Sequence, residues 1–172
     1  MNDLEDTMTD TTPTMNDLYG GEGPGWFHAH TPYIRAVAAA LTAAGLPVDR
    51  WDADPNSPRD GNIALDLDRQ GTIDGQPVWS HDEVNVGWTE DRGWFLNTVD
   101  DPHGRDSRWV FDLGIARVAS PATVAVAVAE KAGLTVTVDG DGYPDVDFPD
   151  HDCEEDDIPF ELALRRYAEA GR

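Results

Sequence analysis

Apolar positions change period along the chain, and each change marks an element. Thr31-Pro32 opens a helical stretch, with Thr31 as the expected N-cap and Pro32 in the first turn, where its missing N–H costs nothing. Ile34, Val37, Ala38 and Leu41 then fall on one face, and Gly45 followed by Pro47 stops the helix. Next, Ile63, Leu65 and Leu67 alternate with Asn62, Ala64, Asp66 and Asp68, the period of a strand with one solvated face. Residues 77–80 are expected to pair with that strand at an edge, because Pro77 cannot donate to a ladder. Val84, Val86 and Trp88 alternate up to Glu90-Asp91-Arg92-Gly93, and the strand pattern resumes over residues 94–99, which predicts a hairpin.

Residues 108–113 supply a further strand, with Trp109 and Phe111 on one face and Val110 and Asp112 on the other. Ser120-Pro121 repeats the cap-plus-proline start, and the alanine-rich run closes at Gly133, so helix is preferred there over strand despite its valines. Residues 134–138 and 143–148 read as a second hairpin around Asp139-Gly140-Asp141-Gly142. A last helix starts near Asp157-Ile158-Pro159, with Phe160, Ala163, Leu164 and Tyr167 on one face and Glu161 four residues before Arg165 as an expected surface pair.

Short connections between alternating segments favour antiparallel pairing. The order predicts an α+β fold: an antiparallel sheet of about 4–6 strands with two or three helices packed on one face. The expected organisation is an acidic disordered leader over residues 1–25 and an α+β domain over 26–138. An acidic hairpin and spacer follows over 139–157, then a C-terminal amphipathic helix over 158–172 that docks on the domain. The tetrapeptide Met-Asn-Asp-Leu occurs at residues 1–4 and 15–18, and an alternative start or a chance repeat accounts for it better than a docking motif.

The Thr31-Pro32-Tyr33-Ile34-Arg35-Ala36-Val37 helix start, the Asp54-Pro55 to Asp60-Gly61-Asn62-Ile63 connection, the Gly93-Trp94 hairpin and Ala119-Ser120-Pro121 together resemble an uncharacterised domain family common in actinobacteria. The resemblance covers roughly residues 31–132 and implies no activity. Both acidic ends depart from it.

Charge sharpens this picture. The 172 residues carry 34 acids and 12 bases for a net charge of −22, with Asp far in excess of Glu and Lys131 the lone lysine. GC-rich coding, as in an actinobacterium or its phage, explains that bias, and adaptation to high salt is the other bland source. The charge is uneven: −6 over residues 1–25, −7 over 26–132 and −9 over 133–172. Direct binding to nucleic acid or to an anionic membrane is disfavoured, since both need clustered bases. No run of about 20 apolar residues is present and the N-terminal residues do not resemble a signal peptide, so a cytoplasmic protein is expected. No cofactor motif occurs.

Four of the five histidines fall in patterns that bear on chemistry. His28 and His30 stand two apart without a nearby third ligand and read as exposed loop residues. His81 and Glu83, with Asp82 between them, and His103 and Asp106, near Asp101, form a secondary acid–base or ligand site if their loops meet at one sheet end. Turn chemistry explains the second loop equally well. Asp139, Asp141 and Asp145 suggest a calcium loop, but its register places Thr137 and Phe148 where carboxylates are required, so a hairpin turn is preferred. Cys153, among carboxylates, makes a poor nucleophile. Most of the six tryptophans should be core, with Trp88 or Trp94 free to anchor a partner beside their turn.

The function these features favour is a non-enzymatic acidic interaction protein that binds a basic protein partner, in the manner of a nucleic-acid mimic, inhibitor or immunity protein. The contact residues would be Asp139, Asp141, Asp145, Asp147, Asp150, Asp152, Glu154, Glu155, Asp156 and Asp157. The alternative is a small enzyme or ligand-binding domain built on the His81 and His103 loops.

Overall fold

The structure is a computed structural model and describes residues 12–21, 25–101, 107–140 and 142–170. Its centre is a five-stranded antiparallel sheet of β1 (Val48–Asp54), β2 (Asp60–Leu65), β5 (Glu83–Thr89), β6 (Gly93–Asp100) and β7 (Ser107–Asp112), in spatial order β1-β2-β5-β6-β7. Three helices, α2 (Thr31–Ala43), α3 (Pro121–Lys131) and α4 (Ile158–Glu169), supply the other half of one core. The α+β class is therefore as the pattern predicts. No helix among the described residues is long and apolar enough to cross a membrane.

The cross-strand registers run Trp51–Ile63–Val86–Leu96–Phe111 across one face of the sheet. Ile63, Val86, Trp88, Trp94 and Leu96 of that face meet Ile34, Val37 and Leu41 of α2, Val124 and Val128 of α3, and Phe160 and Leu164 of α4. The opposite face is polar, with Asp52–Asn62–Gly87–Phe95–Asp112 in one row. α2 approaches closely because Gly61 lacks a side chain: a Cβ there would stand 2.5 Å from Ile34 Cδ1. Tyr33 ties the layers together, its hydroxyl donating to Ala119 O at 2.6 Å and accepting from Trp94 Nε1 at 2.8 Å.

Several local expectations change. Thr31 is the first helical residue rather than the cap; His30 takes the cap position without a side-chain hydrogen bond. Residues 77–80 do not pair with β2. Instead β3 (Thr72–Ile73) and β4 (Gln76–Pro77) make their own hairpin across Asp74 and Gly75, both at positive φ (51° and 79°). Among the described residues of 134–148 the predicted hairpin is not formed: Val146 bridges to Val118, and Asp145 and Asp147 bond Ser120, Thr123 and Arg117 instead. Within the expected leader, α1 (Met15–Tyr19) is a short helix closed by a capping box between Thr14 and Asp17. Residues 1–11, which hold the first copy of the repeated tetrapeptide, lie outside the described residues.

Candidate interaction site

The C-terminal acidic segment is built onto the domain residue by residue. Asp145 faces the start of α3, where its carboxylate accepts from Ser120 N at 2.7 Å and from the Thr123 hydroxyl at 2.9 Å. A carboxylate there satisfies an orphan amide and suits the positive end of the helix dipole. Asp147 accepts from the Arg117 amide at 3.3 Å, and Arg117 in turn donates to His151 O at 3.3 Å. Phe148 meets the edge of Phe160, and His151 stacks on Phe160 with ring centroids 3.8 Å apart. Asp157 closes the segment twice over, capping Phe160 N at the start of α4 and holding His151 Nδ1 at 2.9 Å. Residues 143–157 thus form an arm with anchors along its length.

Beneath the arm is a buried ionic cluster. Arg59, 1 % exposed, donates from Nε to Glu90 at 2.6 Å and from Nη2 to Glu161 at 2.6 Å, and it donates again to Trp26 O at 2.8 Å. Its guanidinium lies over Trp26 and beside Phe160. Burial opposes the charge on Arg59, but the hydrogen bonds and charges of Glu161 and Glu90 outweigh it and raise the pKa. Tyr19 donates to Glu161 at 2.6 Å, and burial together with that carboxylate pushes the phenol well above its usual range. His151 Nε2 lies 3.9 Å from Glu90 Oε2.

One cluster therefore joins the N-terminal segment, the β1–β2 connection, the β5–β6 turn and α4. Above it opens a cleft of about 100 Å³ whose walls include Trp26, Cys153, Glu154, Glu155 and Asp156.

A profile of a family of unknown function, DUF6292, matches residues 33–130. The chain belongs to DUF6292. No curated protein and no solved structure matches it. Arg59 and Glu90 lie inside the part that defines DUF6292, whereas Trp26, His151, Asp157 and Glu161 lie outside it. The cluster is where this DUF6292 domain receives its own flanking segments.

Nine of the ten acids expected to face a partner are among the described residues, and they divide into two groups. Asp145, Asp147 and Asp157 are spent on anchoring, and Asp152 accepts from Glu154 N at 2.9 Å. Asp139, Asp150, Glu154, Glu155 and Asp156 are exposed and make no ion pair among the described residues; Asp141 lies outside those residues. As calcium candidates, Asp139 is exposed and Asp145 is turned to α3. Among the described residues no group of three or more His, Cys, Asp or Glu is placed to hold a metal.

The alternative site is only partly visible. His81 Nδ1 meets Asp100 at 2.9 Å, Asp82 accepts from Asp101 N at 2.6 Å and Glu83 is exposed, while His103 and Asp106 lie outside the described residues. His30 is fully buried rather than exposed, with Nε2 on Asp60 O at 2.8 Å, and burial lowers its pKa to about 4. Trp88 and Trp94 are both buried, with their indole N–H groups satisfied inside; Trp109 is the exposed tryptophan. Glu161 does not pair with Arg165, which instead donates to Leu18 O and lies over Tyr19.

Arg59, Glu161 and His151 were not legible as one site. The available signal was Glu161 itself, which a helical wheel sets beside Leu164 on the apolar stripe of α4.

Proposed function

We propose that this DUF6292 protein is a non-catalytic interaction protein whose acidic arm receives a basic segment of a protein partner. One observation carries the reading: the arm is anchored on both sides of residues 154–156, so Glu154, Glu155 and Asp156 stand exposed at the rim of the Trp26 cleft. Carboxylates held in place bind cations at a smaller entropic cost than a free tail, because less of the chain is ordered on contact. The cleft adds Trp26, whose ring already carries Arg59 and stacks on Phe27, as an apolar wall for the alkyl part of a basic side chain. A row of fixed acids also presents the long-range field by which an acidic protein competes with phosphate for a basic surface.

The test uses an arginine–glycine repeat peptide as probe, titrated into the full chain over a range of salt. Binding should weaken steeply with salt, and Glu154→Gln with Glu155→Gln and Asp156→Asn should weaken it about tenfold, the scale of one or two charge-assisted contacts. Neutralising Asp49, Asp68 and Glu83, which line a second acidic groove at the sheet end, is the matched control and should change binding little. Equal losses from the two triple variants would mean that only total charge matters and would overturn the reading.

A further inference from the structure

The two edges of the main sheet are finished differently. β1 carries Asp49, Asp52 and Asp54 and a register shift between Val48 and Arg50, the charged and irregular edge that discourages pairing. β7 carries Trp109, Val110 and Phe111, which are 58 %, 53 % and 44 % exposed. It has no proline, lysine or bulge among its six residues, and no strand among the described residues pairs with its outer edge.

The hydrogen-bond phase of β7 is fixed by the ladder. Leu113 N donates to Trp94 O at 3.1 Å, and these two residues continue the register in which Phe95 opposes Asp112. Hydrogen-bonded pairs alternate in an antiparallel ladder, so Phe111 and Trp109 turn their backbone groups toward β6. Arg108, Val110 and Asp112 therefore turn theirs away from β6.

We infer that β7 is a self-pairing edge, on which a second copy of this chain adds antiparallel about a two-fold axis through Val110. In that register Val110 opposes Val110 and Arg108 opposes Asp112 twice as hydrogen-bonded pairs. Trp109 opposes Phe111 twice at the non-bonded sites, where side chains come closest. The strand reads Arg-Trp-Val-Phe-Asp, so one register matches opposite charges, aromatic rings and backbone groups at once. Shifting the centre to Trp109 or Phe111 loses the charge match and brings inward-turned backbone groups to the axis.

Trp109 and Phe111 share the helix-bearing face with Thr98 and Leu96. Four rings thus close the seam between the two helix layers, and the product is a ten-stranded sheet whose outer strands are the two acidic β1 strands. Such closure by a two-fold contact ends the assembly at a dimer.

The interface is small, below the roughly 1,200 Å² of standard specific contacts, and a charge of −22 on each copy opposes it. It should therefore be assayed by sedimentation at about 200 µM protein and about 0.5 M NaCl, which screens charge beyond a few ångströms. The wild-type chain should form a dimer that loosens as salt is lowered. Val110→Lys and Val110→Glu should each be monomeric, because like charges meet at the axis, and an equimolar mixture of the two should dimerise. In the wild type, hydrogen exchange at the Val110 and Asp112 amides should slow with concentration; this readout needs no variant and stands if either substitution impairs folding. A wild-type chain that stays monomeric, or a dimer indifferent to Val110→Lys, would overturn the inference, as would an edge that takes only unrelated strands.

Discussion

His30 shows how one side chain sets a pH limit. Its imidazole is fully buried, donating from Nε2 to Asp60 O, while Nδ1 has no hydrogen-bond partner among the described residues. Burial holds its pKa at about 4, against 6.5 for the free side chain. The unfolded chain therefore binds this proton first as pH falls, and stability contributed by neutral His30 is complete above pH 6.5 and lost on the way down to 4. The scale is on the order of 3 kcal/mol. Asp60 acts with the opposite sign, because burial and then Asp54 and Asp52 raise its carboxyl, so the fold gains stability as pH falls through that raised pKa. Urea midpoints of the wild-type chain should fall between pH 6.5 and 4, and His30→Gln should flatten that fall. A parallel profile in the variant would show that another group carries the acid limb.

At the scale of elements, the Arg59 cluster decides whether α4 and the arm stay on the domain. Arg59→Met removes the guanidinium shared by buried Glu90 and Glu161, leaving two carboxylates without that counter-charge. The expected loss is about 3–5 kcal/mol, the usual cost of breaking a buried pair from one side. Hydrogen exchange in α4 should rise more than in β5 and β6. Adding Glu90→Gln and Glu161→Leu to Arg59→Met should recover much of the loss, as replacing a whole buried ion set often does. Equal destabilisation of all elements would mean that the cluster is not what docks α4. The same contrast explains what could be read from the chain. The β5–β6 hairpin, α2, α3 and the start of α4 were legible because turn residues, caps and periodicity act within a few residues. The ion cluster was not, because Arg59 and Glu161 are 102 positions apart and each sits in a locally ordinary context, a turn-rich loop and an apparent i,i+4 pair. Residues 134–148 misled for the opposite reason: their hairpin signal was local, and tertiary partners such as Ser120 and Thr123 took Asp145 instead.

Over the whole molecule, charge opposes compaction. A net −22 spread over 172 residues makes the folded state repel itself, since folding brings the carboxylates closer together than they stand in the open chain. The exposed ion pairs among the described residues offset little of this: Arg50 with Asp49 and Arg69 with Asp66 are solvent-screened contacts. The Arg59 cluster is buried and responds weakly to salt. Added NaCl should therefore raise the thermal midpoint. Taking the screening length from roughly 30 Å at 0.01 M to a few ångströms should gain about 2–3 kcal/mol, or several degrees for a chain of this size. The arm gives the decisive comparison. Glu154→Gln with Glu155→Gln and Asp156→Asn should raise the midpoint at low salt and leave it unchanged at about 0.5 M, because these acids contribute repulsion and no hydrogen bond that holds the fold. The same triple variant is the one expected to lose binding to a basic peptide. A protein that becomes more stable and binds less would show these carboxylates to be kept against the interest of the fold, whereas a midpoint that falls at low salt would show them to be structural.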